Sequence, residues 1–463
     1  MTVHHTTAAS ELAGLARHVR GRVILPGDGD WDSARRPWNR RVDQRPVAVV
    51  EPEDAGDMSA VAAFAGRHEL RVSAESTGHG AGADLADTIL LRTGRMREIV
   101  LDTGGQRALI GAGARWGDLM TAVSPHGLAA SAGSTPGVGV AGYAMFGGVG
   151  MLGRTLGFAA DHIAAADVVT ADGSRIRCDA ADHPDLWWAL RGGGGGFALL
   201  TRLELRLARP TALYGGQIVW PAAAAPDIIP AWRSWTASVP PEMTSSVAVV
   251  ELPLLPEIPD PLRGRRITSV TACYAGPAAD GENLLRPLAR AVRPLLDFCR
   301  PLVPAELATL AGVPAAPRSA RIRCELLASL PDAAVSAFLE HGAGRHAPLI
   351  AAEIRHLGGA YAGPRSEAGD FGEGAIARVA APYLVEFVGP AGTVEADAAV
   401  RGWQGRASSA LAPWTTGRVL PSFADPAVSA DTARAFPPET LRRLADVKRR
   451  YDPGNVLRAS FLP

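Results

Sequence analysis

Hydrophobic positions in residues 20–209 recur at two spacings, which together predict short strands mixed with short helices. Apolar residues three and four positions apart predict one helix from Pro52 to about His68 and another at Trp116–Val123. Short apolar or alternating runs predict strands and a hairpin: Val23–Leu25, Val47–Val50, Arg71–Ala74, Ile89–Leu91, Ile99–Leu101, Ala108–Gly111, Ile163–Thr170, Ser174–Cys178 and Phe197–Leu207. Pro184–Leu190 reads as a further short helix. We therefore expect one α+β unit here.

A change in composition near Arg209-Pro210 predicts the start of a second unit. From there to about residue 420 the chain is richer in proline and tryptophan. The predicted strands are Ile218–Trp220, Ser246–Leu252, Ile267–Cys273 and Tyr383–Val388, and the predicted helices are Pro226–Ser238, Gly281–Leu296 and Pro331–His341. We expect an antiparallel sheet covered by helices at 210–420, and a final segment, 421–463, that holds a helix at Pro437–Arg450.

The segment Gly133–Gly157 holds nine glycines among apolar residues and few charges. Glycine is costly to order, so this density indicates a place where backbone must come close to a bulky ligand. A flexible linker is the alternative, but large apolar residues such as Phe146 are poor linker residues. Gly137, Gly139 and Gly142 also spell G-x-G-x-x-G, yet small turn-forming residues precede them where a dinucleotide-binding turn needs a strand. We interpret the segment as a buried ligand-lining stretch.

A second candidate site is the loop Glu75–Gly82, which follows directly on the predicted strand Arg71–Ala74. A loop rich in serine, threonine and glycine after a strand can bind a pyrophosphate through backbone and hydroxyl donors. From this loop alone, an ordinary surface turn is an equally good interpretation.

Composition excludes several classes of protein. Net charge is zero, so nothing electrostatic favours nucleic acid or an anionic membrane. No apolar run reaches membrane-spanning length, and the first residues lack the pattern of a signal peptide. The four cysteines are scattered, without a C-x-x-C, so neither a disulfide framework nor a zinc site is expected. A cytoplasmic protein is the default expectation.

Lysine chemistry is almost excluded as well, because Lys448 is the only lysine among 47 basic residues. The chain has no P-loop, and a pyridoxal Schiff base is improbable. H-E-x-x-H and G-x-S-x-G are also absent. The pairs His341/His346 and Glu353/His356 have ligand-like spacing, but no second cluster accompanies them, so we expect ordinary surface or packing residues and no metal.

Five segments, taken in order, resemble the FAD-linked oxidase family of the berberine bridge enzyme type, within the vanillyl-alcohol oxidase superfamily with its PCMH-type FAD-binding domain. The resemblance covers nearly the whole chain. Its segments are Arg45-Pro46 through the helix at 54–68, the loop Ser76–Gly80, the stretch Gly133–Asp161, the stretch Leu186–Phe197 and the tail Tyr451–Asn455. Each segment alone is moderate evidence, and the five in this order are strong evidence.

The resemblance implies a two-part FAD domain at 1–209, a substrate domain at 210–420 over the flavin, and a C-terminal segment at 421–463 that returns to the FAD domain. It implies that His79 bonds the flavin's 8α-methyl, which would hold the ring and raise its potential. The implied cofactor-binding residues are Glu75, Ser76, Thr77, Gly78, His79, Gly80, Ser134, Thr135, Val138, Gly139, Gly142, Tyr143, Gly147, Gly148, Gly150, Val168 and Asn455.

The chain also departs from the family's pattern at three places. Thr135 stands where many relatives carry a cysteine that forms a second flavin bond, so we expect FAD bonded through His79 only. Glu75 stands where the family's loop begins with arginine, and its charge is unfavourable near a pyrophosphate unless the side chain turns away. The stretch Leu420–Phe423 lacks the tyrosine that often serves as base. The familiar aromatic oxidase chemistry cannot be assumed.

Flavin oxidation needs a group that takes the proton of the substrate heteroatom, and the sequence offers three candidates. Tyr143 lies within the glycine segment, although packing beneath the flavin is an equally good role for it. Tyr383 and Glu386 lie on a predicted strand of the second unit, where most side chains pack or face solvent. Trp403 and Trp414 could wall an apolar pocket or fill the core.

Two hypotheses follow. The first is an FAD-dependent oxidase that moves a hydride from a small alcohol or amine to flavin N5, with O2 as the second reactant and specialised metabolism as one setting. The second is a flavin-holding protein without net oxidation, either a cyclase-like catalyst or a binding protein, which the missing tyrosine keeps open. Neither hypothesis involves nucleic acid or a membrane.

Overall fold

The computed structural model describes residue 12 and residues 14–312, 316–363, 373–425 and 429–459. Its strands are β1 (Arg22–Ile24), β2 (Ala48–Glu51), β3 (Arg71–Glu75), β4 (Thr88–Arg92), β5 (Ile99–Asp102), β6 (Arg107–Gly111), β7 (Ile163–Val169), β8 (Arg175–Cys178), β9 (Leu199–Arg206), β10 (Tyr214–Pro221), β11 (Met243–Glu251), β12 (Arg266–Tyr274), β13 (Leu296–Asp297), β14 (Arg300–Pro301), β15 (Ala320–Leu327), β16 (Ala351–His356) and β17 (Tyr383–Pro390). These strands form three sheets.

The α-helices lie between and after these strands. They are α1 (Trp31–Arg35), α2 (Ala55–Arg67), α3 (Trp116–Val123), α4 (Val140–Met145), α5 (Gly153–Leu156), α6 (Pro184–Leu190), α7 (Ala225–Thr236), α8 (Ala278–Ala291), α9 (Asp332–Ala337), α10 (Val394–Leu411), α11 (Ser429–Ala435) and α12 (Pro438–Tyr451). The mixture of helices with separate sheets confirms the expected α+β class.

The first two sheets are built from residues before position 207. The smaller has the order β1-β2-β4-β3, with β2 and β3 both parallel to β4. The other has the order β5-β6-β9-β7-β8 and is antiparallel throughout. Helix α2 connects β2 to β3 of the smaller sheet, and Asp54 begins it by accepting hydrogen bonds from the backbone N–H groups of Gly56 and Asp57. Its apolar side packs with residues of both sheets.

The third sheet follows residue 213 and runs β13-β10-β12-β11-β16-β17-β15, all antiparallel, with β14 also on β10. Helices α7 to α10 cover one face of this sheet, where residues such as Trp232, Leu285 and Val400 pack on Ile354 and Phe387. Residues of the opposite face, among them Leu326 and Leu384, pack against Phe158. Phe158 belongs to the part of the chain before residue 207, which we call the glycine-rich half. Because strand side chains alternate between faces, each strand of this sheet contributes to both layers.

Two buried side chains fasten the third sheet to the glycine-rich half. Arg154 of α5 donates through Nε to the Met243 carbonyl at 2.8 Å and through Nη1 to the Leu357 carbonyl. Nη1 also lies 2.9 Å from Nε2 of His356, which accepts from it because a guanidinium can only donate. Tyr361, which follows β16, contacts the glycine segment in turn: its hydroxyl accepts from the Gly150 N–H at 3.1 Å.

The final segment returns to the first sheet. Val456 and Arg458 exchange backbone hydrogen bonds with Val72 of β3. Lys448 fixes this arrangement, because its ammonium donates to the carbonyls of Gly196 and Leu457 and to the carboxylate of Asp452. The tail thereby ties α12 to the glycine-rich loop that follows α6.

Most predicted elements form close to their predicted bounds, with informative exceptions. The helix predicted at Gly281–Leu296 ends at Ala291, because Pro294 disfavours helical backbone just before it. Strands β15 and β16 and the 18-residue helix α10 were not predicted. Both strands carry charged residues at inward positions, and α10 contains glycines and serines that weaken a helical pattern.

Candidate functional site

A cavity of about 410 Å³ lies where the two glycine-rich loops meet the third sheet. A volume of this size is within the range of cofactor and substrate pockets. Its lining joins the loop 75–80 to parts of the glycine segment and to side chains of β15, β16 and β17. The sequence-predicted residues that line it are Glu75, Ser76, Thr77, Gly78, His79, Gly80, Ser134, Thr135, Val138, Gly139, Gly142, Tyr143 and Glu386.

His79 is held rigidly at the wall of the cavity. Its ring stacks on Trp38 with centroids 4.2 Å apart, and its Nδ1 lies 2.7 Å from the hydroxyl oxygen of Thr77. Nε2 is buried and has no hydrogen-bond partner among the described residues. Burial, with a smaller contribution from Arg115, lowers the pKa of His79 to about 4, so the imidazole is neutral at neutral pH. A neutral imidazole that donates Nδ1–H to Thr77 carries its lone pair on Nε2.

Glu75 lines the cavity, but its carboxylate is committed elsewhere. Oε2 accepts from Nη1 of Arg92 at 2.8 Å, and Oε1 accepts from Nε2 of Gln44 at 2.6 Å. Both members of the Glu75–Arg92 ion pair are largely buried. The negative charge that the sequence places at the start of this loop is therefore neutralised within the protein.

The glycine segment approaches the loop so closely that a side chain would not fit. A Cβ on Gly139 would lie 2.7 Å from the hydroxyl oxygen of Ser76. That hydroxyl is buried and has no partner among the described residues. Thr135, on the same segment, also lines the cavity. Close backbone, small side chains and an unsatisfied hydroxyl together suit a ligand with polar oxygens.

Tyr143 projects from α4 into the same cavity. Its ring meets Trp116 edge-on at 5.2 Å, and Gly133 and Gly148 leave the space that the ring occupies. The Tyr143 hydroxyl is buried without a partner among the described residues, and burial raises its pKa well above the usual value. The group is therefore a neutral hydrogen-bond donor at any physiological pH, and a poor base.

Glu386 is the acidic group that the third sheet presents to the cavity. Its Oε2 accepts from Nη2 of Arg355 at 3.0 Å, and the same Nη2 donates to Oε2 of Glu353 at 2.9 Å. Desolvation raises the pKa of Glu386; Arg355 opposes the rise and Glu353 adds to it. The guanidinium of Arg355 lies 5.5 Å from the ring centre of Phe423, which also lines the cavity.

Tyr383, although on the same strand as Glu386, does not reach the cavity. Its hydroxyl shares a 2.8 Å hydrogen bond with Thr236, and its ring packs beside Trp232 on the helix-covered face. Three positions along a strand put the two side chains on opposite faces, so the two candidates cannot act together. Trp403 and Trp414 likewise pack against the helix-covered core instead of walling the cavity.

Five predicted cofactor residues are absent from the lining of the cavity, and each has a different structural position. Gly147 lies against Ile376, where a Cβ would be 2.4 Å from its Cδ1, and Gly150 lies against Ser131. Gly148 supports the Tyr143 ring from behind. Val168 is buried in the core of the second sheet. Asn455 is exposed in a left-handed turn after α12, and its predicted contact with a flavin ring stays a prediction.

Sequence reasoning missed three important residues of the lining: Trp38, Arg355 and Phe423. Trp38 was one residue in an arginine- and tryptophan-rich loop without a periodic pattern. Arg355 lies on the unpredicted strand β16, where the neighbouring Glu353 was read as an ordinary residue. A signal was available in the E-x-R spacing, since alternate residues of a strand share a face.

No group of three or more His, Cys, Asp or Glu residues in the described part of the chain is arranged to hold a metal ion. Among the described helices, none combines the length and apolar character that a bilayer-crossing helix requires.

Comparison with known proteins matches part of the chain before residue 207 to an FAD-binding domain. The sequence profile described as an FAD binding domain matches residues 46–179. The (R)-6-hydroxynicotine oxidase of Paenarthrobacter nicotinovorans is 37% identical over 205 residues, which cover 44% of this chain and 45% of that protein. In sequence, the chain spans about half the length of the first curated relatives it matches, 45% and 51%.

Solved structures match over nearly the full chain. The crystal structure of 6-hydroxy-D-nicotine oxidase from Arthrobacter nicotinovorans aligns with a TM-score of 0.80 and 26% identity, covering 95% of this chain and 97% of that chain. Physcomitrella patens BBE-like 1 aligns with a TM-score of 0.83 and 20% identity, covering 98% and 99%. The second likeness is one of fold.

Proposed function

We propose that this chain, which belongs to the PCMH-type FAD-linked oxidoreductases of the berberine bridge enzyme type, is an oxidase that removes a hydride from a small alcohol or amine. O2 is the proposed second substrate, because the related 6-hydroxynicotine protein is named an oxidase. The observation that carries the proposal is the shared cavity, in which His79 and Glu386 belong to the two different halves of the protein.

The residues present fit FAD. The buried hydroxyl of Ser76 lacks a partner among the described residues, lies at the cavity wall and can donate to a phosphate oxygen, and Gly139 allows the glycine segment to approach it closely. The Glu75–Arg92 pair removes a charge that would repel them. The FAD-binding residues we propose are therefore those of loop 75–80 together with Ser134, Thr135, Val138, Gly139, Gly142 and Tyr143.

A single covalent attachment through His79 is part of the proposal. Thr77 and Trp38 hold the ring in one orientation, and the neutral imidazole keeps a nucleophilic Nε2 that is hydrogen-bonded to none of the described residues. With FAD bound, His79 would hold the flavin through its 8α-methyl; the methyl C–H and the imidazole N–H would together give up two electrons and two protons, for which O2 is the proposed acceptor, with H2O2 as product. Thr135 is a poor nucleophile, so no second bond is expected from the glycine segment.

The proton of the substrate's O–H or N–H group goes to Glu386 in this proposal. Its carboxylate faces the cavity, lies in a desolvated site and is more basic than an exposed glutamate. When bound, FAD supplies the acceptor for the hydride. The Tyr143 hydroxyl donates a hydrogen bond to the cavity and orients the substrate or cofactor.

The proposed division is a cofactor domain at 1–209, a substrate domain at 210–420 and a returning segment at 421–463. Contacts of the tail with Val72 and of Arg154 with the third sheet support one working unit. We propose a cytoplasmic location from the scattered cysteines.

Anaerobic reduction of the purified protein tests the proposal. A panel of small alcohols, cyclic amines and sugars would be mixed with the protein, and bleaching of the visible flavin band would be recorded. Bleaching by an alcohol or amine, followed by recovery on admission of air with H2O2 released, is expected. Bound flavin that no member of the panel bleaches would favour a cyclase-like or flavin-holding protein instead.

A further inference from the structure

Glu353, Arg355 and Glu386 form one compact unit because of strand register. Glu353 and Glu386 stand directly opposite each other on β16 and β17, and Arg355 is two residues further along β16 on the same face. One guanidinium nitrogen, Nη2, contacts a single oxygen of each carboxylate, at 2.9 and 3.0 Å. Glu386 and Arg355 line the cavity, whereas Glu353 does not.

Two carboxylates on one guanidinium leave an excess negative charge. The other polar groups near the cluster do not neutralise it: Cys324, directly opposite Glu386 on β15, is buried, and burial raises its pKa well above the usual value. Tyr143, from the glycine segment, and Tyr361, from the chain that follows β16, are phenols whose pKa values burial also raises. A proton taken up by Glu386 would make the cluster neutral.

The remaining charged groups of the cavity wall are already paired. Arg41 donates to both carboxylate oxygens of Asp425 at 3.0 Å. Asp425 also accepts from Arg321 at 3.4 Å, and Arg321 donates to both oxygens of Asp397. These arginines and aspartates pair with one another, and Arg458, which also lines the cavity, pairs with Asp84, so the first cluster keeps its excess charge.

We infer that Glu353 and Arg355 are positioning residues for Glu386: Arg355 orients its carboxylate toward the cavity, and Glu353 shares that guanidinium and thereby leaves Glu386 basic. The inference rests on the proposed function, in which Glu386 accepts the substrate proton.

The inference concerns the basicity of the Glu386 carboxylate, which Arg355 and Glu353 change in opposite directions. In a simple ion pair, an arginine stabilises the charged carboxylate and makes it a weak base. Glu353 weakens that effect, because it competes for Nη2 and repels the charge on Glu386. When the O–H or N–H bond of the substrate breaks, Glu386 gains the proton, the electron pair of the departing C–H bond leaves with the hydride, and the cluster passes from one negative charge to none.

Infrared difference spectra of the purified flavoprotein, recorded between high and low pH without substrate, test the inference. A protonated carboxyl band that titrates in the wild type should be missing in Glu386→Gln. In Glu353→Gln the same band should titrate about one pH unit lower, since a neighbouring negative charge has gone. In Arg355→Gln the midpoint should rise. Glu325→Gln, which removes a buried acid paired with Arg434 outside the cavity, is the matched control and should leave the band unchanged.

The midpoint of the carboxyl band should fall in Glu353→Gln and rise in Arg355→Gln. A purely structural role of these two residues would not shift the midpoint in opposite directions. A band that survives in Glu386→Gln but disappears in Glu353→Gln would place the proton on the wrong carboxyl and overturn the inference. Unshifted midpoints in both Glu353→Gln and Arg355→Gln would do the same. Failure of the proposed function looks different: Glu386→Gln would then be reduced by substrate as fast as the wild type, whatever the band does.

Discussion

Arg92 holds the carboxylate of Glu75 at 2.8 Å, next to Ser76, whose buried hydroxyl has no partner among the described residues. The relation explains how an acidic residue begins a loop that we propose to hold a pyrophosphate. Arg92 also donates to the carbonyls of Ala34 and Arg35, so the pair fastens the loop to the C-terminal end of α1.

Replacing Arg92 by methionine should therefore weaken FAD binding. The unpaired Glu75 would be a buried charge beside the phosphates, and breaking such a pair costs about 3–5 kcal/mol of stability. The flavin content of purified protein and the urea midpoint measure the two effects. Adding Glu75→Gln should recover flavin content in the double variant, and no recovery would show that the loss came from loop disorder alone.

His79→Ala should bind FAD without a covalent bond and oxidise substrate more slowly. The wild type should stay yellow after acid precipitation, because Nε2 of His79 has no hydrogen-bond partner in the described part of the chain and the ring is held in place for attachment. The measurement is flavin in the acid supernatant against flavin in the pellet. His126→Ala, at an exposed histidine far from the cavity, is the control. Release of all FAD by the wild type would end the covalent proposal but leave FAD binding intact.

Thr135→Cys should be able to add a second flavin bond. Thr135 lines the cavity, and a cysteine thiolate is a far better nucleophile than a threonine hydroxyl. Mass spectrometry would show a flavin that cross-links the peptides holding residues 79 and 135. Ser134→Cys, one residue away, tests whether the geometry is specific. Normal FAD content without any cross-link would mean that residue 135 faces away from the ring.

Glu386→Gln should slow flavin reduction by a factor of roughly 10²–10⁴, the usual contribution of a general base, with flavin content unchanged. Tyr383→Phe is a matched comparison from the same strand, because its hydroxyl bonds Thr236 on the other face. That variant should reduce at a normal rate and lose about 1 kcal/mol of stability. Stopped-flow reduction under anaerobic conditions separates the two, and a slow Tyr383→Phe would contradict the assignment.

His356 should make the folded protein sensitive to acid. Burial, with a smaller contribution from Arg154, lowers its pKa to about 3, below the unfolded value of about 6.5. The unfolded chain therefore binds the proton first, so stability is complete above pH 6.5 and falls as pH decreases toward 3. Between pH 7 and pH 5 the loss should be about 2 kcal/mol. Urea unfolding should show a smaller loss in His356→Gln than in His126→Gln; equal losses would contradict the prediction.

The cofactor half could be predicted from the sequence because its signals are local. The loop 75–80 and the glycine segment each act through backbone that few other residues could form, and both reach the cavity. Asn455 shows where this reasoning stops, since the tail motif ends in an exposed turn and its contact with a flavin stays a prediction. Whether a tail residue meets a ligand depends on where the helix before it docks, which no local pattern states.

The cluster of Glu353, Arg355 and Glu386 could be predicted from the sequence only in part. The sequence predicts Glu386 on a strand, but its partners Glu353 and Arg355 lie on β16. The charged residues of β16 interrupt the apolar pattern by which a strand is predicted. The meeting of the three residues depends on cross-strand register, a long-range property that spacing within one segment cannot reveal. The separation of Tyr383 from Glu386 could have been deduced, because an odd spacing along a strand reverses the face.

Lys448 makes opening of the C-terminal segment measurable, because it is the only lysine in the sequence. A lysine-specific protease has one peptide bond to cut among all 463 residues, and the side chain that it must grip is held by Gly196, Asp452 and Leu457. Cleavage can proceed only from molecules whose tail has left β3. The rate of this single cut therefore reports the fraction of open molecules.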